Sequence, residues 1–486
     1  MNKTIRRTAV FTLLLVFALL VRATWVQFYD GQALADDKNN RRTMMEQYAQ
    51  PLGDIIVAGE AVTGSARTDG SDFAYKRTYK DGELYAAVTG YGSQVYGATQ
   101  LEGIYKDLLD GTDTELKSPL DVLTKEPAAP GDVVTTIDPD VQRAAYEALG
   151  DKKGAAVAID PATGQILAVV STPSYDPGTI SGSGSGDAAA WKKLSKDDDK
   201  PLVNRALRQP LPPGSTFKLV VAAAALEDGL YGSVDERTDS PDPYTLPGTV
   251  TELANENTAA PCENATIRVA LQYSCNNVFA KLAVDLGQDK VKAMAESFGF
   301  NDDDLDVPVR AYASVYPSDM DEAQTALSGI GQFDVTATPL QIAMVSAAIA
   351  NDGELVSPHM VAQTSDADGN VLRDYDDEAG TERIVSSATA EQLRSAMQTV
   401  VEEGTGTNAR VSGATVGGKT GTAQHGENNS KTPYAWFTSY AKSDTTGQEV
   451  AVAVVVEQSD AARSEVSGNG LAAPVAQAMM EAALQD

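Results

Sequence analysis

The chain has 486 residues, room for two to four domains, and its 42% hydrophobic content is enough to bury a core. A formal net charge of −30 argues against a nucleic-acid binder, because phosphate recognition needs clustered Lys and Arg. Two cysteines, Cys262 and Cys275, and two separated histidines, His359 and His425, make no ligand cluster, so neither a metal nor another cofactor is expected.

Positive charge is concentrated at the amino end, where Lys3, Arg6 and Arg7 precede any acid and the first acidic residue is Asp30. Thr8 to Val21 is uncharged, and continuing through Arg22 to Phe28 gives 21 residues, close to the ~20 that cross a bilayer. Arg22 can snorkel, and Trp25, Phe28 and Tyr29 suit an interface. The predicted topology is a cytoplasmic tip (1–7), a single-pass signal anchor in the plasma membrane (8–28), and everything beyond outside the cytoplasm. The alternative is a leader cleaved at Ala33-Leu34-Ala35, which lies 12 residues past Val21, far from the apolar run. Outside the cytoplasm a disulfide between Cys262 and Cys275 is favoured over two free thiols.

Residues 29–150 read as a small mixed α+β domain. Tyr85 to Gly90 predicts a strand, Gln100 to Leu109 a short amphipathic helix, and Val133 to Ile137 another strand. Pro127, Pro130 and Gly131 mark a boundary, and Pro139 opens a helix to about Leu149. A hairpin follows: Ala155 to Ile159, a turn over Pro161-Ala162-Thr163-Gly164, then Gln165 to Ser171. Residues 178–200, with Ser and Gly alternating over Ser181 to Gly186, predict a mobile loop. An apolar helix runs from Pro212-Pro213-Gly214 through Leu226, and helical patterns recur at Thr266–Leu286, Pro339–Ile349 and Ala388–Glu402. Val411 to Thr422, Trp436 to Ala441 and Glu449 to Glu457 predict strands, and Ala472 to Leu484 a closing helix. The class is α/β (α+β): over 151–486, an antiparallel sheet flanked by helices, with an all-helical subdomain between its strands.

Ser215-Thr216-Phe217-Lys218 carries the chemistry. Positions i and i+3 share a helix face, so the Lys218 amine can reach the Ser215 hydroxyl. A desolvated lysine can deprotonate a serine, and a helix amino terminus favours a developing oxyanion. Alone the pattern is weak, since Ser439-Tyr440-Ala441-Lys442 matches it too. Ser274-Cys275-Asn276 follows 59 residues after Ser215, and Lys419-Thr420-Gly421-Thr422 another 145 on. Ser467-Gly468-Asn469 also fits the second pattern, but the three in this order and in helix, helix and strand contexts are the signature of penicillin-recognising serine enzymes.

On these motifs the chain resembles the class B, monofunctional penicillin-binding proteins, most of all the short actinobacterial A type. The resemblance extends over essentially the whole chain. It includes Gly154 to Pro161, Asn204-Arg205-Ala206, Gln209-Pro210, Gly329-Ile330-Gly331-Gln332, Thr338-Pro339-Leu340-Gln341 and Ala435-Trp436-Phe437, with Leu101-Glu102-Gly103 as a pedestal motif. Leu52-Gly53 stands where many relatives have Arg-Gly, which puts the pedestal contacts in question.

The resemblance implies a transpeptidase domain over 151–486 behind a pedestal over 29–150. It implies a peptidoglycan D,D-transpeptidase in which Ser215 attacks D-Ala-D-Ala of a stem peptide, releases D-alanine and passes the acyl group to an amine. Lys218 would take the serine proton, and Ser274 with Lys419 would relay it. Asn276 would bind substrate backbone and orient Lys218. Thr420, Gly421 and Thr422 would bind substrate, and the N–H groups of Ser215 and Thr422 would form the oxyanion hole. Implied partners are stem peptides, β-lactams, and a SEDS-type glycan polymerase with division or elongation machinery.

Three other functions share the motifs. A class A β-lactamase needs E-x-x-x-N between the second and third motifs, and none of the five asparagines after Asn276 there has Glu four positions before it. A D,D-carboxypeptidase differs only in using water as acceptor. A penicillin-binding sensor or scaffold would need a vestigial site, whereas every motif side chain is present. His425 reads as a loop residue beside the site, and Glu102 as either a pedestal hydrogen-bonding group or surface.

Overall fold

The structure, a computed structural model, describes residues 3–30, 45–69, 71–117, 128–426 and 429–485. Ala33-Leu34-Ala35 and Pro127 lie outside them. Lys3–Trp25 is one helix, with the Thr8, Thr12 and Thr24 hydroxyls donating to carbonyls four residues earlier. Through Tyr29 it forms the one helix among the described residues long and apolar enough to cross a membrane. None of its side chains is buried by protein, as suits a helix whose solvent is lipid.

A five-stranded mixed sheet organises the pedestal, in the order Val371–Asp374, Val361–Ser365, Asp132–Thr135, Ile55–Val57, Glu60–Ala61. Ile55 pairs in parallel with Val133, and Val361 pairs antiparallel with Thr135. Two of the five strands therefore come from beyond position 360. Arg77 is fully buried beside Leu52-Gly53. Its Nε donates to Glu102 Oε1 at 2.6 Å and its Nη1 to Gly53 O at 2.7 Å. Arg77 lies on the hairpin Thr63–Arg67/Tyr75–Tyr79, and Glu102 is its internal partner rather than surface.

The second sheet is antiparallel throughout, ordered Ala414–Ala423, Tyr434–Ser443, Glu449–Gln458, Lys153–Ile159, Ile166–Thr172. Its inner strands are runs of Ala and Val because both faces are covered. Val452, Val454 and Val456 join Val141, Leu149 and Met479 on one face, under Pro139–Leu149 and Ala473–Ala483. Ala451, Ala453 and Val455 face the larger core with Ile342 and Leu393, from Pro339–Ala350 and Ser387–Glu403. A helix from before position 150 thus helps cover this sheet.

Four local expectations are corrected. Gly82–Thr89 is a helix, not a strand. Buried almost all round, it has no period to betray its type, and the fully buried Gln142 fixes it by donating to Leu84 O and Val169 O, both at 2.9 Å. Residues 178–200 contain a helix, Ser185–Ser195. The Asp187 carboxylate accepts from Gly182 N and Gly184 N, and Trp191 stacks on Tyr96 with centroids 4.3 Å apart. The segment 100–109 divides at Tyr105 into Gln100–Ile104 and Lys106–Asp110. The segment 266–286 divides into Ile267–Gln272 and Asn276–Leu286, with Ser274 between them at φ 59°.

Candidate active site

Three elements converge. The first is a single 3₁₀ turn, Gly214–Thr216, leading into Lys218–Glu227. Pro212 and Pro213 bring the chain in, and Gly214 N donates to Gly331 O at 3.1 Å. Gly331 has φ +68°, and a β carbon there would fall 2.1 Å from Gly214 O, so only glycine fits beneath the Ser215 turn. The second element is the break at Ser274. A left-handed serine is strained, and several bonds hold it. Cys275 N donates to Ala270 O at 2.8 Å, Asn276 N to Asn255 Oδ1 at 2.6 Å, and Cys275 is disulfide-bonded to Cys262.

The third element is the edge strand Ala414–Ala423, which lies against the Ser215 turn. A β carbon on Gly214 would be 3.2 Å from Ala423 Cα, and one on Gly421 would be 3.0 Å from Pro213 O. Ala414–Ala423 is the edge strand, and among the described residues no strand pairs with its outer side, which is where an extended peptide can add.

Between these elements the side chains form one network. Lys218 Nζ donates to Ser274 O (2.8 Å), Asn276 Oδ1 (2.8 Å) and Ser274 Oγ (3.3 Å). Lys419 Nζ donates to the same Ser274 Oγ at 3.0 Å and to Thr420 O at 2.9 Å. One hydroxyl therefore bridges two amines. Ser215 is 8% exposed and both lysines are fully buried, and no carboxylate bonds either amine among the described residues. Burial pushes Lys419 down to about 7, with Glu256 opposing. Lys218 is held well below the usual amine range, by burial first and by the Lys419 charge second, again against Glu256. Two adjacent ammonium ions without counter-ions are disfavoured in this setting, so the proton affinity of both amines is lowered. Among the described residues the Ser215 hydroxyl makes no hydrogen bond.

The structure thus gathers Ser215, Lys218, Ser274, Asn276 and Lys419, with Thr420 to Thr422 on the adjoining strand. The look-alike motifs fall elsewhere: buried Ser439 donates to Met480 Sδ, exposed Lys442 pairs with Glu449, and Asn469 Oδ1 accepts from Asn408 N. His425 stacks on Tyr434 and its Nε2 lies 2.6 Å from Thr432 O. Motif reading missed the residues that hold the network. Asn255 Oδ1 anchors Asn276 N, while its Nδ2 donates to Asn277 Oδ1 (3.0 Å) and Asp242 Oδ2 (2.9 Å). Asn277 Nδ2 ties down the carbonyls of Ser240, Pro241 and Cys262. Thr405 Oγ1 lies 2.8 Å from Thr420 Oγ1, and its Gly404-Thr405-Gly406 setting was the only local signal.

Comparison with known proteins agrees with this geometry. Residues 154–481 match the penicillin binding protein transpeptidase domain, and 52–133 match the penicillin binding protein A dimerisation domain. The chain is 37% identical over 498 residues to the peptidoglycan D,D-transpeptidase PbpA of Mycolicibacterium smegmatis, covering 100% of both. It is 36% identical over 499 residues to PbpA of Mycobacterium tuberculosis, covering 100% of this chain and 99% of that one. Among solved structures, the ceftriaxone acyl-enzyme complex of M. tuberculosis penicillin-binding protein A superposes with TM-score 0.83 at 35% identity, covering 91% of this chain and 100% of that one. Its penicillin G acyl-enzyme complex gives 0.80 at 35%, covering 90% and 100%. A fold, a three-element site and a full-length likeness all point one way, and the chain belongs to the penicillin-binding protein transpeptidase family.

Proposed function

We propose that this chain is a peptidoglycan D,D-transpeptidase with Ser215 as nucleophile. The observation that carries the reading is the bridging Ser274 hydroxyl, 3.3 Å from Lys218 Nζ and 3.0 Å from Lys419 Nζ. Neutral Lys218 accepts the Ser215 proton as Oγ attacks the carbonyl of the penultimate D-alanine. The C–N bond breaks, and the proton passes through Ser274 and Lys419 to the departing D-alanine amine. An acceptor amine then attacks the ester, returns its proton to Ser215 by the same route, and closes a cross-link. The Ser215 and Thr422 N–H groups serve as the oxyanion hole, worth about 3–4 kcal/mol per donor. Thr420 and Thr422 hydroxyls, with the Lys419 charge, receive the substrate carboxylate. Asn276 holds Lys218 and meets the substrate backbone, with Gly421 keeping the strand close. β-Lactams act on the same serine.

The reading extends to topology: residues 1–7 cytoplasmic, 8–28 a single membrane pass, 29–150 a pedestal, and 151–486 a catalytic domain outside the membrane. A SEDS-type glycan polymerase would contact anchor and pedestal; co-purification that depends on residues 1–150 is the test, and no co-purification at all would sink that partner. The central test is intact mass of the full-length protein after benzylpenicillin, with Ser215→Ala as control. One adduct on Ser215 lasting many minutes supports a transpeptidase-type acyl-enzyme. Steady drug hydrolysis would indicate a β-lactamase, and product analysis with and without an amine acceptor separates the D,D-carboxypeptidase.

A further inference from the structure

A strap of chain follows the short hairpin Tyr244–Thr245/Glu252–Leu253 and borders the amines of the active site. Ala254 O accepts from Asn276 Nδ2 at 3.0 Å, and Asn255 Oδ1 accepts from Asn276 N at 2.6 Å. Asn276 in turn holds Lys218 Nζ through its Oδ1 at 2.8 Å. The next residue on the strap is Glu256. Asn255 is buried and Glu256 is exposed, so the carboxylate stands at the mouth of the site. It makes no hydrogen bond or ion pair among the described residues.

The chain has 68 acidic residues, yet among the described residues Glu256 is the one carboxylate whose charge acts on both Lys218 and Lys419. At each amine it opposes the loss of a proton, which puts it on the amine side of the mouth rather than turned away. Acting through space without a bond, it leaves its oxygens open to a cation from solvent. The species that reach the site differ in what they need from such a charge. Water is neutral and needs nothing from it. A donor peptide ends in a carboxylate and is repelled. An alkylamine acceptor arrives as an ammonium ion, because it keeps its proton at neutral pH.

We propose that Glu256 binds the ammonium group of the acceptor at the mouth of the site and so favours an amine over water at the Ser215 ester. The inference rests on the transpeptidase reading and adds to it the residue that selects the nucleophile. The acceptor nitrogen loses two protons on the way to an amide. One passes to solvent at the exposed mouth before attack. The other reaches Ser215 Oγ as the new C–N bond forms and the ester C–O bond breaks. Glu256 supplies charge to the arriving cation, so it changes which nucleophile takes the acyl group.

The test uses full-length protein in detergent, turning over a benzoyl-D-alanine thioester at pH 7.5 with two competing nucleophiles. Nα-acetyl-lysine N-methylamide is cationic there and hydroxylamine is uncharged. Both draw on one acyl-enzyme, so the ratio of their products, corrected for the Ser215→Ala background, cancels any change in acylation. Glu256→Gln should lower the ratio of lysine amide to hydroxamate about 5-fold, the scale of one exposed charge pair, and Glu256→Asp should recover most of it. Added salt should lower the ratio in the parent and leave it flat in Glu256→Gln. An unchanged ratio in Glu256→Gln, or the same salt dependence in both proteins, would overturn the proposal. Absence of any acylation, by the thioester or by benzylpenicillin, would remove the transpeptidase reading and the proposal together.

Discussion

Replacing Lys419 by methionine should abolish turnover and yet stabilise the protein at pH 7. The fully buried amine titrates near 7 instead of its ordinary 10.5 or so. Each tenfold change in proton affinity is about 1.4 kcal/mol, so the lowered proton affinity of this buried amine costs about 5 kcal/mol relative to an unfolded chain that protonates it fully. The folded state binds fewer protons than the unfolded one between about pH 7 and 10.5. Stability therefore rises with pH across that window, and the penalty is fully present below about 7. Methionine removes the penalty but also the bonds to Ser274 Oγ and Thr420 O, about 1 kcal/mol each. The expected net gain is about 3 kcal/mol at pH 7, shrinking toward zero or below by pH 10. Urea unfolding at pH 7 and 9.5 measures it, followed by tryptophan fluorescence, to which Trp436, buried on the neighbouring strand, contributes. A Lys419→Met protein less stable than the parent at pH 7, or a difference that does not change with pH, would refute the argument.

Glu102→Ala would leave Arg77 a buried charge with only Gly53 O and, at 3.4 Å, Asp54. We expect a loss of about 3–5 kcal/mol in pedestal protection by hydrogen exchange, partly recovered in Glu102→Leu/Arg77→Met. Gly331→Ala should displace Gly214 and slow benzylpenicillin acylation at least about 10-fold, read as the rate of adduct formation by mass, because its β carbon meets Gly214 O. Removing the disulfide as Cys262→Ser/Cys275→Ser should lower stability by about 3 kcal/mol and slow acylation by loosening Ser274. Equal acylation rates in parent and variant would show that Ser274 is held without it.

The catalytic half of this molecule was legible because its signals are local. S-x-x-K on a proline-glycine turn, K-T-G on a β-rich run, and the Ala155–Ser171 hairpin each declare themselves within a short stretch of chain. Where burial is total the period vanishes, and Gly82–Thr89 could be read as either element. The Ser-Gly alternation before Ser185 resembled a linker, yet Asp187 turns two of its glycine amides into a helix start. The left-handed Ser274 was illegible in a run with continuous helical pattern. Asn255, Thr405 and Arg77 act on residues 15 to 25 positions away, and only the tertiary fold brings them within bonding reach.

The pedestal sheet also sets a timetable. Thr136 Oγ1 donates to His359 O, 223 positions further along, and the strand Asp132–Thr135 gains its second neighbour only when Val361–Ser365 arrives. At 5–20 residues per second of synthesis, that strand waits on the order of 10–45 s with one edge unsatisfied. An exposed strand edge invites pairing with other chains. The part of the protein nearest its amino end therefore finishes folding late, and a fragment ending near residue 150 would keep that edge open for good.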